Sequence, residues 1–320
     1  MNKKIEIMTV VLSIAVLTGC EATVFNNVDN LNQNTQEVKV DKDQHTTTPV
    51  SSPTPPPKPT QKPSPSPMPN TNSIQQPIPR SGAAEKLKVD VLEKLDNTKY
   101  SWWEKLNNEH KTPEFPPQAK MVTKYGGVYI GDTSKKVLYL TFDEGYENGY
   151  TPKILDTLKQ NQVKAIFFIT AGYLKDKPDL IKRMIDEGHQ IGNHSVNHPS
   201  MPTLSYSAFE KEILDLEKNF TAQFGKGMKY FRPPMGEFSE RSLAATEQLG
   251  YKTTMWSFHY YDFDVKNQKG ADYAYKKVMD NLHNGAVLLL HAVSKDNAEA
   301  LDKIIKDAKA LGYTFSPFDL

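Results

Sequence analysis

Along the last two-thirds of the chain, short apolar runs alternate with amphipathic stretches. The runs "VLYLTF", "KAIFFIT" and "AVLLLH" have the length and β-branched or aromatic content of buried strands. "HQIGNH", "KYFRPP", "YKTTMWSF" and "YTFS" read as further strands. The stretches between them carry helix punctuation. Pro152 opens a helix to about Gln160, and Pro178 opens another closed by Gly188. Ser205 or Ser207 caps a helix through about Phe224, and Ser239 caps one that stops at Gly250. Ala271 to His283, and Asn297 to Leu311 before Gly312, complete the set. Strand and helix alternating at this spacing predict parallel β/α units, first a closed or nearly closed barrel and second an open doubly wound sheet.

The first third has no such pattern. Lys3 and Lys4 precede an apolar run from Ile5 to Leu17, too short to span a bilayer comfortably, which ends at Leu17-Thr18-Gly19-Cys20. That tetrapeptide looks like a bacterial lipobox. Residues 1–19 are expected to be a lipoprotein signal peptide, with Cys20 acylated and holding the protein to the membrane. Residues 20–82 are polar and then dense in Pro, as in "SSPTPPPKPTQKPSPSP". Such composition cannot bury a core and is expected to be disordered. In the polyproline II form, ~30 residues at about 3.1 Å each span on the order of 90 Å, a stalk between membrane and domain. Residues 83–136 form a flank. Within it, Ala83 to Leu106 reads as a charged helix, with a partial apolar stripe at Leu87, Val91, Leu95 and Leu106.

Charge narrows the function. The chain has 39 basic and 38 acidic residues, a formal net charge of +1, and no basic patch interleaved with aromatics. It lacks the field that would recruit nucleic acid. Cys20 is the single cysteine, so a disulfide within the chain is excluded.

Chemistry-bearing residues cluster at predicted strand ends, where β/α barrels gather their catalytic groups. Asp143 and Glu144 follow "YLTF", and His194 and His198 follow "HQIG". Arg232 follows "KYF", Asp262 lies past "TMWSF", and His291 ends "AVLLLH". The H-x-x-x-H spacing would put both imidazoles on one face of a helical turn. With a carboxylate from Asp143 or Glu144 the set becomes His, His, Asp/Glu, a common arrangement for catalytic zinc with an open water position. Of the two adjacent acids, one can ligate while the other takes a proton from water. Asp262 is placed to orient His291, with Asp264 as its alternate. Arg232 is placed to pair with Asp143. Pairing and desolvation pull the Asp143 pKa in opposite directions.

"TFDEG", "HSVNH", "RPPMG", "WSFHYYD" and "LLLHAVS" occur in that order. From about Val137 to Phe318 the chain resembles the polysaccharide deacetylases of carbohydrate esterase family 4, the NodB-homology domain. "TFDEGYENGYTPKIL", "RPPMGEFSE" and "HAVSKDNAEALD" resemble the branch of endospore formers that deacetylates peptidoglycan N-acetylmuramic acid, towards muramic δ-lactam in spore cortex. The resemblance implies a distorted (β/α)7 barrel over residues 137–318. It implies Asp143 as general base, with Glu144, His194 and His198 as ligands of a divalent metal. Zinc is expected, with Co²⁺, Mn²⁺ or Ni²⁺ able to occupy the same set. Arg232 would hold Asp143, Asp262 would tune His291 as general acid, and the backbone N–H of Met235 would stabilise the oxyanion.

Two features depart from the family: Glu144 stands where a second Asp is usual, and "YYDFD" lacks the Trp usual after the motif Asp. The expected partners are a peptidoglycan glycan strand and, through Cys20, the outer face of the bacterial cytoplasmic membrane, with no nucleic acid and a monomeric protein. Alternatives are an N-acetylglucosamine deacetylase with the same chemistry, or an inactive wall-binding module with Glu144 as its lesion.

Overall fold

The computed structural model describes residues 89–320. The expected signal peptide, Cys20 and the Pro-rich stalk lie outside them. At the centre is β2 (Val137–Glu144), with seven of its eight residues buried. A strand covered on both faces reads as a continuous apolar run, as "VLYLTF" does. It pairs in parallel with β3 (Ile166–Ile169) on one side and β8 (Val287–His291) on the other. Beyond β3 come β4 (Gln190–Asn193), β5 (Tyr230–Phe231) and β7 (Lys252–Thr253). β9 (Thr314–Phe315) pairs with the start of β2, giving seven parallel strands. After β7 the chain bridges Thr254 to Val128 and Phe258 to β8 at Leu288. The sheet thus curls back towards its first edge as a distorted (β/α)7 barrel.

Register sets the height of the strand ends. Asp143 lies opposite His291 of β8, Ile169 opposite Asn193, and Asn193 opposite Phe231. The residues that follow Asn193 and Phe231 are His194 and Arg232, two positions beyond the level of Asp143 and His291, so four chemistry-bearing residues gather at the same end of the sheet. Gly192 in β4 makes room beneath them: a Cβ there would meet the Phe168 ring at 2.4 Å.

The helices start and stop where their punctuation lies. Pro stands in the first turn of α3 (Thr151–Gln160) and α5 (Pro178–Asp186). Ser205 Oγ accepts the Ala208 N–H at the start of α6 (Tyr206–Phe224), which ends at left-handed Gly225. Ser239 and Ser242 form a reciprocal capping box on α7 (Glu240–Gln248). α8 (Ala271–Asp280) ends three residues before His283, whose ring holds Ser257 Oγ at 2.8 Å. α9 (Lys295–Ala310) is capped by Ser294. A short helix, α4 (Ala171–Asp176), was not expected; Thr170 Oγ1 accepts the Tyr173 N–H to start it. Among the described residues no helix is long and apolar enough to cross a membrane.

Two expectations are corrected. The charged helix over Ala83–Leu106 is, among its described residues, one turn: α1 (Val89–Leu92). Asp96 Oδ1 then accepts the Thr98 N–H and turns the chain. β1 (Tyr100–Ser101) pairs antiparallel with β6 (Glu237–Phe238), and Trp102 is buried against Phe115, Tyr129 and Phe238. Burial of these aromatics outweighs a weak helical propensity. "YKTTMWSF" keeps a ladder only at Lys252–Thr253, because the chain changes partners at Thr254 and again at Phe258.

His189, just before β4, is a buried histidine outside the strand-end ring. Its Nδ1 accepts the Ala165 N–H at 3.1 Å, and burial depresses its pKa to about 4. The folded protein therefore resists protonating a group that the unfolded chain protonates near 6.5. Its contribution is complete above pH 6.5 and is lost as pH falls towards 4, by up to about 3 kcal/mol. In urea unfolding from pH 7 to 4.5, His189→Gln is expected to lose stability less steeply than wild type. Parallel curves would remove His189 as a source of acid sensitivity.

Candidate active site

The strand ends open into a cavity of about 490 Å³, lined among others by Asp143, His194, His198, Trp256, His259 and His291. Behind its lining lies Arg232, fully buried. Its Nη1 donates to Asp143 Oδ1 at 2.7 Å, its Nη2 to Thr141 Oγ1 at 2.9 Å and its Nε to the Thr254 carbonyl at 3.3 Å. The guanidinium carbon stands 4.2 Å from the Phe168 ring centroid. Three hydrogen bonds and an aromatic face satisfy a group that is costly to bury. Burial pushes the Asp143 pKa up, but Arg232, with His194 and His291, outweighs it and holds the carboxyl below its ordinary 3.8. The competition left open by the sequence goes to pairing.

His194 donates from Nδ1 to the Arg232 carbonyl at 2.8 Å, which leaves the Nε2 lone pair directed at the site, 3.5 Å from Asp143 Oδ2. Burial lowers its pKa to about 4, so the ring is neutral at pH 7. His198 is lowered too, by burial first. Their ring centroids are 4.8 Å apart. The expected helical turn is corrected: both lie in the loop after β4, where Ser195 (φ 71°) and His198 (φ 56°) take left-handed backbone conformations. Ser195 Oγ accepts the His198 N–H at 2.9 Å and fixes the return of the chain.

His291 ends β8 across from Asp143. Its Nδ1–H donates to Asp262 Oδ1 at 2.7 Å, and its backbone N–H to Oδ2 at 2.8 Å. Burial lowers the His291 pKa, but the Asp262 charge and hydrogen bond raise it further, to a net value above 6.5. Asp262 rather than Asp264 therefore holds this histidine; Asp264 caps the exposed backbone of Lys266. Asn297 Nδ2 donates to Asp262 Oδ2 at 2.6 Å and fixes the carboxylate. Phe263, in the place of the family's Trp, packs edge-on against His291 at 5.4 Å. Met235 lines the cavity in a tight turn, Pro234–Gly236, with φ 58°.

Glu144 is not brought to this set. Neighbours on a strand face opposite sides, and with Asp143 in the cavity the Glu144 carboxyl is fully buried away from it. It accepts from Thr151 Oγ1 at 3.4 Å, and its Oε2 has no partner. Burial, with Glu147 nearby, raises its pKa well above 4.5. The expectation of Glu144 as a metal ligand is therefore corrected: the geometry buries its carboxyl behind the strand, outside the lining of the cavity. Two neutral imidazoles beside an ionised Asp143 fit the nitrogen half of a divalent metal site. Among the described residues, however, no three His, Cys, Asp or Glu side chains converge as a complete ligand group.

Sequence reasoning missed Asn297, Thr141, Glu104 and His259. Asn297 stood within the quoted "HAVSKDNAEALD", but its approach to Asp262 is a tertiary contact. Glu104 lies in the flank and accepts hydrogen bonds from Trp256 and His259.

The sequence profile of the family described as polysaccharide deacetylase matches residues 130–254. An uncharacterized 30.6 kDa protein of Geobacillus stearothermophilus is 49% identical over 229 residues, 70% of this chain and 86% of that protein. The peptidoglycan-N-acetylmuramic acid deacetylase PdaA of Bacillus subtilis is 46% identical over 229 residues, 71% of this chain and 87% of PdaA. The solved structure of PdaA, described as a family 4 carbohydrate esterase, matches with a TM-score of 0.69, covering 70% of this chain and 97% of that one. The chain belongs to the polysaccharide deacetylases of carbohydrate esterase family 4.

The position of Glu144 makes a checkable statement about metal binding. Glu144→Gln keeps the shape of the side chain. In calorimetric titration of metal-stripped protein it is expected to bind a divalent metal within about threefold of wild type. His194→Ala or His198→Ala is expected to lose at least tenfold. A loss in Glu144→Gln equal to that of the histidine variants would restore it as a ligand.

Proposed function

We propose that this polysaccharide deacetylase hydrolyses the N-acetyl groups of peptidoglycan, acting on N-acetylmuramic acid. The observation that carries the reading is one cavity in which Arg232 keeps Asp143 ionised, His194 and His198 stand neutral beside it, and Asp262 keeps His291 in a proton-donating state. A base and an acid with pKa values pushed apart, facing one space, are what amide hydrolysis requires.

Asp143 takes a proton from water as the water oxygen adds to the acetamide carbonyl carbon. The backbone N–H of Met235 donates to the oxygen that gains charge. His291 gives its Nε2 proton to the sugar nitrogen as the C–N bond breaks, and acetate and a free amine leave. Asp262 keeps that Nε2 aimed inward by holding Nδ1. His194 and His198 would hold a divalent metal, zinc in our reading, which when bound polarises water and carbonyl.

The similarity to PdaA supports the muramic acid assignment. The deacetylated product carries an amine at C2 and a lactyl carboxyl at C3, the two groups of a muramic δ-lactam, which suits a role in spore cortex. We place the protein outside the cytoplasmic membrane, anchored through Cys20, on the strength of the lipobox and the Pro-rich segment.

Asp143→Asn is expected to lower acetate release from peptidoglycan glycan by 10²- to 10⁴-fold. The acid His291 must carry its proton, so activity falls as pH rises through its pKa. Asp262→Asn removes the group that raises that pKa. The alkaline limb of kcat/KM should then move to lower pH, and an unmoved limb would remove Asp262 from this role. Mass spectrometry of treated glycan should place the new amine on muramic acid; amines confined to glucosamine would overturn the substrate assignment.

A further inference from the structure

A second histidine–carboxylate pair faces the cavity, and no step of the hydrolysis uses it. Glu104 reaches in from the N-terminal flank, its side chain 1% exposed, and meets His259, whose side chain is 39% exposed. The carboxylate accepts the His259 backbone N–H at 2.8 Å and the Trp256 indole N–H at 2.9 Å. It also makes a close contact with His259 Nδ1 that requires a proton between them; the Trp256 indole N–H, 3.0 Å from the same Nδ1, then goes to the other carboxylate oxygen. With Nδ1–H committed to Glu104, Nε2 is the ring nitrogen left for the cavity that His259 lines.

The indole of Trp256 lies between this pair and the reaction centre. Its ring is 5.4 Å from the His259 ring and 5.9 Å from the Arg232 guanidinium carbon. The flank is pinned there by a second tryptophan: the Trp102 indole N–H donates to the Trp256 carbonyl at 2.9 Å, and the Trp102 backbone N–H to the Gly236 carbonyl at 2.9 Å. Such a buried carboxylate, fully used in orienting one half-exposed imidazole, is a built fixture of the cavity wall.

No Lys or Arg is among the described residues that line the cavity. The groups there able to carry positive charge are four histidines. His194, His198 and His291 each act on Asp143, and His259 is the one cavity histidine held instead by Glu104. In N-acetylmuramic acid the lactyl ether stands on C3, next to the C2 acetamide. A muramoyl acetamide held between Asp143 and His291 therefore brings its carboxylate into the same cavity, one ring carbon away from the reacting substituent. N-acetylglucosamine brings only a hydroxyl.

We propose that His259, its Nδ1–H held by Glu104, receives the lactyl carboxylate as an imidazolium, donating from Nε2–H, and so sets the preference for muramic acid. Glu104 is the positioning residue and His259 the specificity-determining one. The proposal rests on the reading that the chain deacetylates N-acetylmuramic acid.

The test compares peptide-free glycan oligomers carrying free lactyl carboxylates with the same oligomers methyl-esterified. Acetate release is followed for wild type, His259→Gln and Glu104→Gln. Wild type should favour the free acid by tenfold or more in kcat/KM, mostly through KM, the scale of one hydrogen bond to a charged group. Both variants should bring the acid-to-ester ratio within about twofold of one, a change that mere loss of folded protein would not produce. If wild type acts on muramoyl residues but treats acid and ester alike, or His259→Gln keeps the preference, this inference falls and the muramic reading stands. If wild type releases no acetate from muramoyl residues in either form, both fall.

Discussion

A guanidinium and a carboxylate, both taken out of water, set the terms for the rest of the site. Arg232 and Asp143 come from strands separated by β3 and β4, and meet because the parallel sheet puts both at the same end, within reach of the long Arg232 side chain. Taking such a pair out of water costs several kcal/mol per ion, and mutual attraction repays it only with good geometry and full hydrogen bonding. Thr141, the Thr254 carbonyl and the face of Phe168 supply that completion. The pair is weak evidence for stability. Its consequence is chemical: it keeps a carboxylate ionised inside a cavity whose burial alone would neutralise it.

The adjacent acid shows the reverse outcome. Asp143 and Glu144 differ by one strand position and therefore by 180° of facing. One meets Arg232 and two imidazoles. The other meets Thr151, with Glu147 and Tyr173 nearby, and burial raises its pKa. The same division recurs among the histidines. His291 and His259 each hold a carboxylate through Nδ1, whereas His194 gives its Nδ1–H to a backbone carbonyl and, like His198, has its pKa lowered by desolvation. Each group's protonation state follows from what it packs against.

This explains which parts of the molecule were readable in the sequence. Elements whose signals are local were legible: the apolar run of β2, Pro152 and Pro178 in first turns, Ser205 and Ser239 as caps. The strand-end ring followed from those elements, and Asp143, His194, His198, Arg232, Asp262 and His291 do share one cavity region. What failed depended on partners distant in sequence. The flank over Tyr100–Trp102 pairs with Glu237–Phe238, some 136 residues away by number, and its helical stripe gave no hint of that. The loop of His194 and His198 is built on left-handed residues that carry no glycine signal. Asn297 and Glu104 act on Asp262 and His259 through contacts that no local pattern encodes. Glu144 was misassigned because adjacency in sequence was read as adjacency in the site.

Asp143 is ionised in its buried setting because Arg232 outweighs desolvation. The direct measurement is a ¹³C NMR titration of the Asp143 side-chain carboxyl in metal-free protein, its signal assigned by loss in Asp143→Asn. The expected midpoint lies below the ordinary 3.8. A midpoint above that value would show that burial dominates, and would contradict the assignment of Asp143 as a base made ready by its pair with Arg232.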